Sequence, residues 1–221
     1  MSRVRPVAGG GRAVEVEPER LAGWFARFSD RHSGAVSTSV TAHRIVVTAA
    51  DGATASVSAA FGGFSPVGEH EGLVVEPLVD NASASRRIGL LLVRLGGHSV
   101  GVAVDGEVVV SATDSRQVHG RNKAGGWSQQ RFARRREGQA RVALRAAADD
   151  AARVLAPRVR ELDAVMLGGD RQALDALRAD RRLAEVFALA SPRVLDVAEP
   201  RRAVLDEAAR RARAVEVVVR G

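Results

Sequence analysis

The chain contains no cysteine, which rules out a disulfide framework, a zinc knuckle and a thiol nucleophile. It has no uninterrupted run of about 18 apolar residues and no basic segment leading into an apolar core, so neither a membrane span nor a secretion signal is expected. The cytoplasm is the expected location. Lysine is almost missing: Lys123 stands alone beside 32 arginines. Histidine is sparse and scattered, and the one dense cluster, "EHE" around His70, reads as solvated charges in a Gly-rich loop rather than a metal site. No metal and no cofactor are called for.

The charge that is present is unevenly distributed. Residues 116–136, "RQVHGRNKAGGWSQQRFARRR", hold seven Arg or Lys and no acid, and the rest of the chain balances 26 bases against 26 acids. The whole net charge of +7 therefore lies in one segment. A basic stripe of that density is the electrostatic footprint of a nucleic-acid partner; the plain alternative is a solvated surface run.

At 221 residues the chain can bury a full core in one large domain or two small ones. Residues 1–12, with "GGG" at 9–11, read as a flexible leader. "AVEVE" from Ala13 reads as a strand, and Pro18 opens a helix whose Leu21, Trp24, Phe25 and Phe28 share one face. Two alternating segments, near 36–49 and 53–60, are expected to pair as a hairpin through Asp51-Gly52. The stretch 62–87, rich in Gly, Ser, Pro and acids, reads as a loop with a subdomain boundary near residue 85.

Beyond it, "IGLLLVRL", "SVGVAV" and "EVVVSAT" read as strands, the last two joined by Asp105-Gly106, a type I′ hairpin signal. From about Gln130 to Ala156 the pattern is helical, with Phe132, Ala140, Ala143, Leu144, Ala147, Ala151 and Leu155 on one side. "LDAVMLGG" is then a buried strand, followed by two helices, the strand "RVLDV", a helix over about 201–213 and the strand "VEVVV". Strands before and between helices make an α/β fold with a mixed sheet.

The long helix begins against its own electrostatics. Helix N-termini favour acids, yet Arg131, Arg134, Arg135 and Arg136 crowd the first two turns, with Arg131, Arg134 and Arg135 on one face repelling by a few tenths of a kcal/mol per pair. A polyanionic partner relieves both penalties, because helix N-termini and guanidinium forks each bind phosphate. The loop ahead of the helix has no acid, and neither "GWSQQ" nor "GFSPV" fits a nucleophile elbow, so Ser128 and Ser65 are not read as catalytic serines. Gly125 and Gly126 permit close backbone approach to a ligand. A glutamine amide in such a loop can donate and accept at once, orienting water while stabilising developing charge.

"HGRNKAGGWSQQRFARRREGQARV", His119 to Val142, resembles the Gly-Gly-Gln loop and following helix of the middle domain of eukaryotic and archaeal class I peptide-chain release factors. In that family His-Gly-Arg precedes the glycines and Arg-Phe-Ala-Arg follows them. "VGVAVDGEVVV" upstream and "LDAVMLGGDRQAL", "DRRLAEVF" and "RVLDV" downstream keep the family's order, so the likeness spans about residues 88–221. Here Trp127 and Ser128 separate the glycines from glutamine. This G-x-x-Q form, Gly126 to Gln129, is more similar to the Vms-type release factors of ribosome quality control, whose loop reads Gly-Gly-Ser-Gln.

The resemblance implies an RNase H-like release-factor middle domain at 86–221, with a glycine-rich loop at 116–130, behind a small N-terminal α+β subdomain at 13–85. It implies a peptidyl-tRNA hydrolase acting on the large ribosomal subunit as a monomer, without a membrane. Gln129, with Gln130 as the alternative, would be the functional amide beside Gly125 and Gly126. Arg121, Lys123, Arg131, Arg134 and Arg135 would contact RNA phosphates, and Trp127 would stack on a base or brace the loop. No decoding segment fits in the first 85 residues, which points to rescue of stalled subunits rather than ordinary termination. Three rivals remain: cleavage near the tRNA 3′ end, a non-catalytic RNA-binding module, and a nucleotide binder using "MLGGDRQAL" as a phosphate turn.

Overall fold

In the computed structural model, residues 4–94, 97–115 and 128–221 are described, with backbone alone for 115 and 128–137. The chain forms two compact units, one of the residues up to Ser85 together with Arg213–Gly221, the other of Arg86–Ala212.

The first unit is a seven-stranded antiparallel sheet. Its strands are β1 (Val4–Pro6), β2 (Arg12–Val16), β3 (Ala35–Val40), β4 (Arg44–Ala49), β5 (Thr54–Ser58), β6 (Gly68–Glu71) and the chain's last strand, β12 (Val215–Arg220), in the spatial order β1-β2-β12-β5-β4-β3-β6. Helix α1 (Leu21–Arg31) follows a 3-10 turn opened by Pro18, whose fixed φ suits a helix start. Its Leu21, Phe25 and Phe28 are buried with Ile45, Val47 and Val217, and Trp24 stacks on Phe28 with ring centroids 5.9 Å apart. Ser33 and Gly34 take positive φ and stop the helix, the Gly34 N–H donating to the Ser29 carbonyl at 2.8 Å.

Three segments differ from the sequence reading. Residues 4–6, expected to belong to a flexible leader, form β1, because the glycines at 9–11 take positive φ and fold the chain back so that Val4–Pro6 pair with Arg12–Val14. Residues 36–49 form two strands, because Thr41 turns the chain: its N–H donates to the Arg44 carbonyl at 2.8 Å, and its Oγ1 accepts from the Arg44 N–H at 2.9 Å. The stretch 62–87 is not a bare loop; it holds β6 and α2 (Glu76–Ser83). Strand β6, "GEHE", has no apolar alternation to betray it and is recruited by ladder bonds to β3, with Ser39 Oγ donating to Glu69 at 2.5 Å. Helix α2 is too short for a period to register, and Pro77 and Leu78 bury it.

The second unit is built on β7 (Arg87–Arg94), β8 (Gly97–Val104), β9 (Glu107–Ser115), β10 (Ala164–Gly169) and β11 (Ala190–Leu195), in the order β11-β10-β7-β8-β9. Strands β7, β8 and β9 form an antiparallel meander, and β10 and β11 run parallel to β7. That mixed order is the RNase H-like arrangement. Asp105 and Gly106 have φ of 52° and 87°, the two left-handed residues of a type I′ turn. Strand β7 reads as a continuous apolar run because it is central and covered on both faces.

Helices α3 (Ser128–Val154), α4 (Arg171–Leu177) and α5 (Ala184–Ala188) pack on the face that presents Leu91, Val93, Val100 and Val102. The other face takes α6 (Arg202–Arg213), whose Leu205 comes so close to Gly101 that a Cβ there would meet it at 3.0 Å. The sequence reading ran the second domain from 86 to the end of the chain. Strand β12 instead inserts between β2 and β5 of the first unit's sheet, a long-range pairing that local pattern cannot reveal.

Candidate functional site

The geometry of the second unit is set by where β9 ends and how α3 returns. Strand β9 finishes at Ser115, opposite Gly97 on β8; the next rung pairs His98 with Asp114. His98 is buried and faces α3, and its Nε2 lies 2.8 Å from Asp150 Oδ2. Five residues further along, Leu155 sits against Gly89, whose strand neighbour is Val102. From Asp150 to Leu155 the chain therefore descends along the sheet. In the opposite direction, among the described residues, only the Gly97–Ser115 rung lies above His98, so α3 runs past the described end of the sheet.

Ser128 precedes Asp150 by 22 residues, which at 1.5 Å per residue is about 33 Å of helix. Burial agrees: Ala147, Ala148, Ala151 and Val154 are buried, whereas no side chain between Gly138 and Ala146 is. Among the side chains described, which begin at Gly138, the helix is thus held chiefly by its C-terminal third, with Leu144 half-buried against the same core.

Charged contacts fasten the held end. Partial burial pushes the Asp150 carboxyl pKa up, but hydrogen bonds from His98 and Arg153 outweigh it and leave the carboxyl below its ordinary value. Ionised Asp150 accepts from His98 Nε2–H on one oxygen and from Arg153 Nη2 on the other, at 2.7 Å. Beside it, Arg182 bridges Asp149 at 2.8 Å and Asp180 at 2.7 Å. The acid pair thereby ties α3 both to β8 and to the turn at 181–183.

Several of the residues singled out from the sequence fall beyond this framework. Arg121, Lys123, Gly125, Gly126 and Trp127 lie outside the described residues, as does the remainder of 116–127. Gln129, Gln130, Arg131, Arg134 and Arg135 are placed by backbone in the first turns of α3, and their side chains are outside the description. The helix starts at Ser128, not near Gln130, so the expected loop 116–130 loses its last three residues. Gln and Arg are good helix formers, and nothing in "SQQR" resists the helix reaching back.

The glycine pair of "MLGGDRQAL" is explained by packing. A Cβ on Gly168 would meet Leu92 Cδ2 at 2.7 Å, and Gly169 has φ of 99° against the Val93 backbone. Asp170 then caps α4, accepting from the Gln172 N–H at 3.0 Å, so a carboxylate occupies the helix start where a phosphate reading needs an anion. Among the described residues no cluster of His, Cys, Asp or Glu forms a metal site. No described helix is long and apolar enough to cross a membrane.

Two features escaped the sequence reading. The His98–Asp150 tie was signalled only by a polar residue opening an apolar strand and an acid pair in an alanine-rich helix. Arg141 and Arg145 extend the arginine face of α3 by three more turns, and a helical wheel drawn past residue 136 would have found them.

The family profile of the Actinobacteria/chloroflexi VLRF1 release factor matches residues 86–218. The chain belongs to that family. Release factors of this kind act on the ribosome in translation, and the VLRF1 match takes in the whole RNase H-like unit, α3 included, and most of β12. Residues 4–85 lie outside it.

Among solved structures, the chain is similar to an archaeal protein at 12% identity and TM-score 0.39, covering 87% of this chain and 69% of that one. It is likewise similar to the archaeal translation termination factor aRF1 at 13% identity and TM-score 0.39, covering 89% and 70%. Pelota from Archaeoglobus fulgidus follows at 17% identity and TM-score 0.28, covering 95% and 64%. No curated protein matches the chain.

Proposed function

We propose that this VLRF1 release factor hydrolyses peptidyl-tRNA on stalled large ribosomal subunits, with the G-x-x-Q segment Gly126–Gln129 as its working tip. The observation that supports the reading is the long helix: α3 is anchored at Asp150 and Ala147–Val154, and Ser128 and Gln129, the described part of the motif, open it about 33 Å away. Such a reach suits a group that must act in a deep, narrow, RNA-walled site while the body of the fold stays outside.

The chemistry follows from the residues. The Gln129 amide orients a water, donating through its NH2 and accepting through its carbonyl. The water oxygen attacks the ester carbonyl, the ribose 3′ oxygen leaves with a proton, and the products are a peptide acid and intact tRNA. Backbone N–H groups around Gly125 and Gly126 help to hold that water against the ester carbonyl, and Gln130 is the alternative amide. Positioning and preorganised dipoles supply the acceleration, since glutamine is no general base at neutral pH. Arg121, Lys123, Arg131, Arg134 and Arg135 hold phosphates, and Trp127 stacks on a base or braces the loop. The protein acts as a monomer in the cytoplasm and needs no cofactor.

The test is to incubate the protein with large subunits carrying labelled peptidyl-tRNA and resolve the products. Free peptide and full-length tRNA are expected from the parent protein, and neither from Gln129→Ala, which still binds the subunit. Undiminished release by Gln129→Ala removes the assignment, and a shortened tRNA replaces hydrolysis with nuclease cleavage.

A further inference from the structure

We propose that the outward face of α3 is a rail for the phosphate backbone of large-subunit ribosomal RNA, with Arg141 and Arg145 as its rear contacts. This deepens the ribosomal reading above and rests on it. At about 100° per residue, Arg131, Arg134, Arg141 and Arg145 fall on one side of the helix, opposite the buried Ala147, Ala151 and Val154. Arg141 and Arg145 are exposed, one turn apart.

Their charge is only partly balanced from within the helix, by Glu137 four residues before Arg141 and Asp149 four residues after Arg145. Over residues 128–148 the sequence has six arginines and a single acid, Glu137. The next two acids are engaged elsewhere: Asp149 holds Arg182, and Asp150 holds His98 and Arg153. A helix face that merely meets solvent ordinarily interleaves acids at i+3 and i+4. This one spaces a guanidinium roughly every one or two turns and sets six arginines against Glu137 and an Asp149 shared with Arg182, a net positive excess that suits a polyanion.

Position decides which RNA. Arg145 lies 17 residues, about 26 Å, behind Ser128. If the tip meets the acylated 3′ end of tRNA, the rear of α3 runs along the wall of the entry path, and that wall is ribosomal RNA.

The experiment measures affinity of the full chain for vacant large subunits across a range of monovalent salt. Variants are Arg141→Gln, Arg145→Gln, the double variant, and Arg160→Gln as an exposed control beyond the other end of the helix. Each rail arginine lost is expected to lower the slope of log K against log salt by about 0.7 to 0.9, the double by about twice that, and the control by nothing. Far-ultraviolet circular dichroism confirms that the exposed substitutions leave the fold intact. An unchanged slope in the double variant overturns the proposal, as does an equal fall in the control. A slope change seen with free tRNA but not with vacant subunits overturns the choice of ribosomal RNA. Because no peptide is released from vacant subunits, a failed hydrolysis assay and a failed rail are separate results.

Discussion

His98 on β8 and Asp150 on α3 meet at 2.8 Å, one rung below the Gly97–Ser115 pair, and the histidine is buried. A polar pair there fixes both the height and the rotation of the helix, because a hydrogen bond to a carboxylate is directional where the neighbouring alanine contacts are not. The anchor of α3 is thus a specific bond laid over a smooth apolar seat.

Asp150→Ala is expected to destabilise the protein by about 1–3 kcal/mol in urea denaturation, since it leaves the His98 ring buried without its acceptor. The effect has a pH signature. The folded-state pKa of Asp150 is lowered, so its contribution is present above the ordinary value of 3.8 and is lost as pH falls through the folded value. The gap between parent and variant should therefore be constant near neutrality and close in acid below that point. A gap that widens in acid would contradict the assigned bond.

Hydrogen exchange should step within a single helix. Amides of residues 138–146 need only local opening and should exchange faster than those of 147–154, whose release requires Ala147, Ala148, Ala151 and Val154 to leave the core. Mass spectrometry of peptides on either side of Ala147 reads the step directly. Uniform protection along both segments would mean that the N-terminal part is seated as well.

Gly169→Ala should lower stability by about 1 kcal/mol or more, because φ of 99° suits glycine and the Val93 carbonyl blocks the new methyl group. Nucleotide affinity, measured by equilibrium dialysis, should be absent before and after the change. A stabilised variant would show that this turn is looser than its geometry.

The chain has two tryptophans, so Trp24→Phe leaves Trp127 as the sole indole reporter. Its emission should be quenched when the protein binds large subunits, as a base stacks on the ring. Emission that is insensitive to binding would assign Trp127 to bracing the loop from within.

Much of this was readable from local pattern. The Leu21, Trp24, Phe25, Phe28 stripe, the Asp105-Gly106 turn and the apolar β7 run each encode their structure within a few residues. The family was legible in "HGR" and "RFAR", which flank the glycines. What escaped was non-local. Strand β6 is charged and forms only because β3 offers it a ladder, and β12 reaches a sheet begun nearly two hundred residues earlier. His98 and Asp150 are 52 positions apart, and nothing short of strand register and helix phase brings them together.

The placement of β12 has a further consequence for how the molecule is made. Because that strand lies inside the first sheet, between β2 and β5, the sheet begun by the residues before Arg86 cannot be completed during synthesis until residues 215–220 have been translated. A release factor of the ribosome is itself, until that strand emerges, unfinished at its beginning.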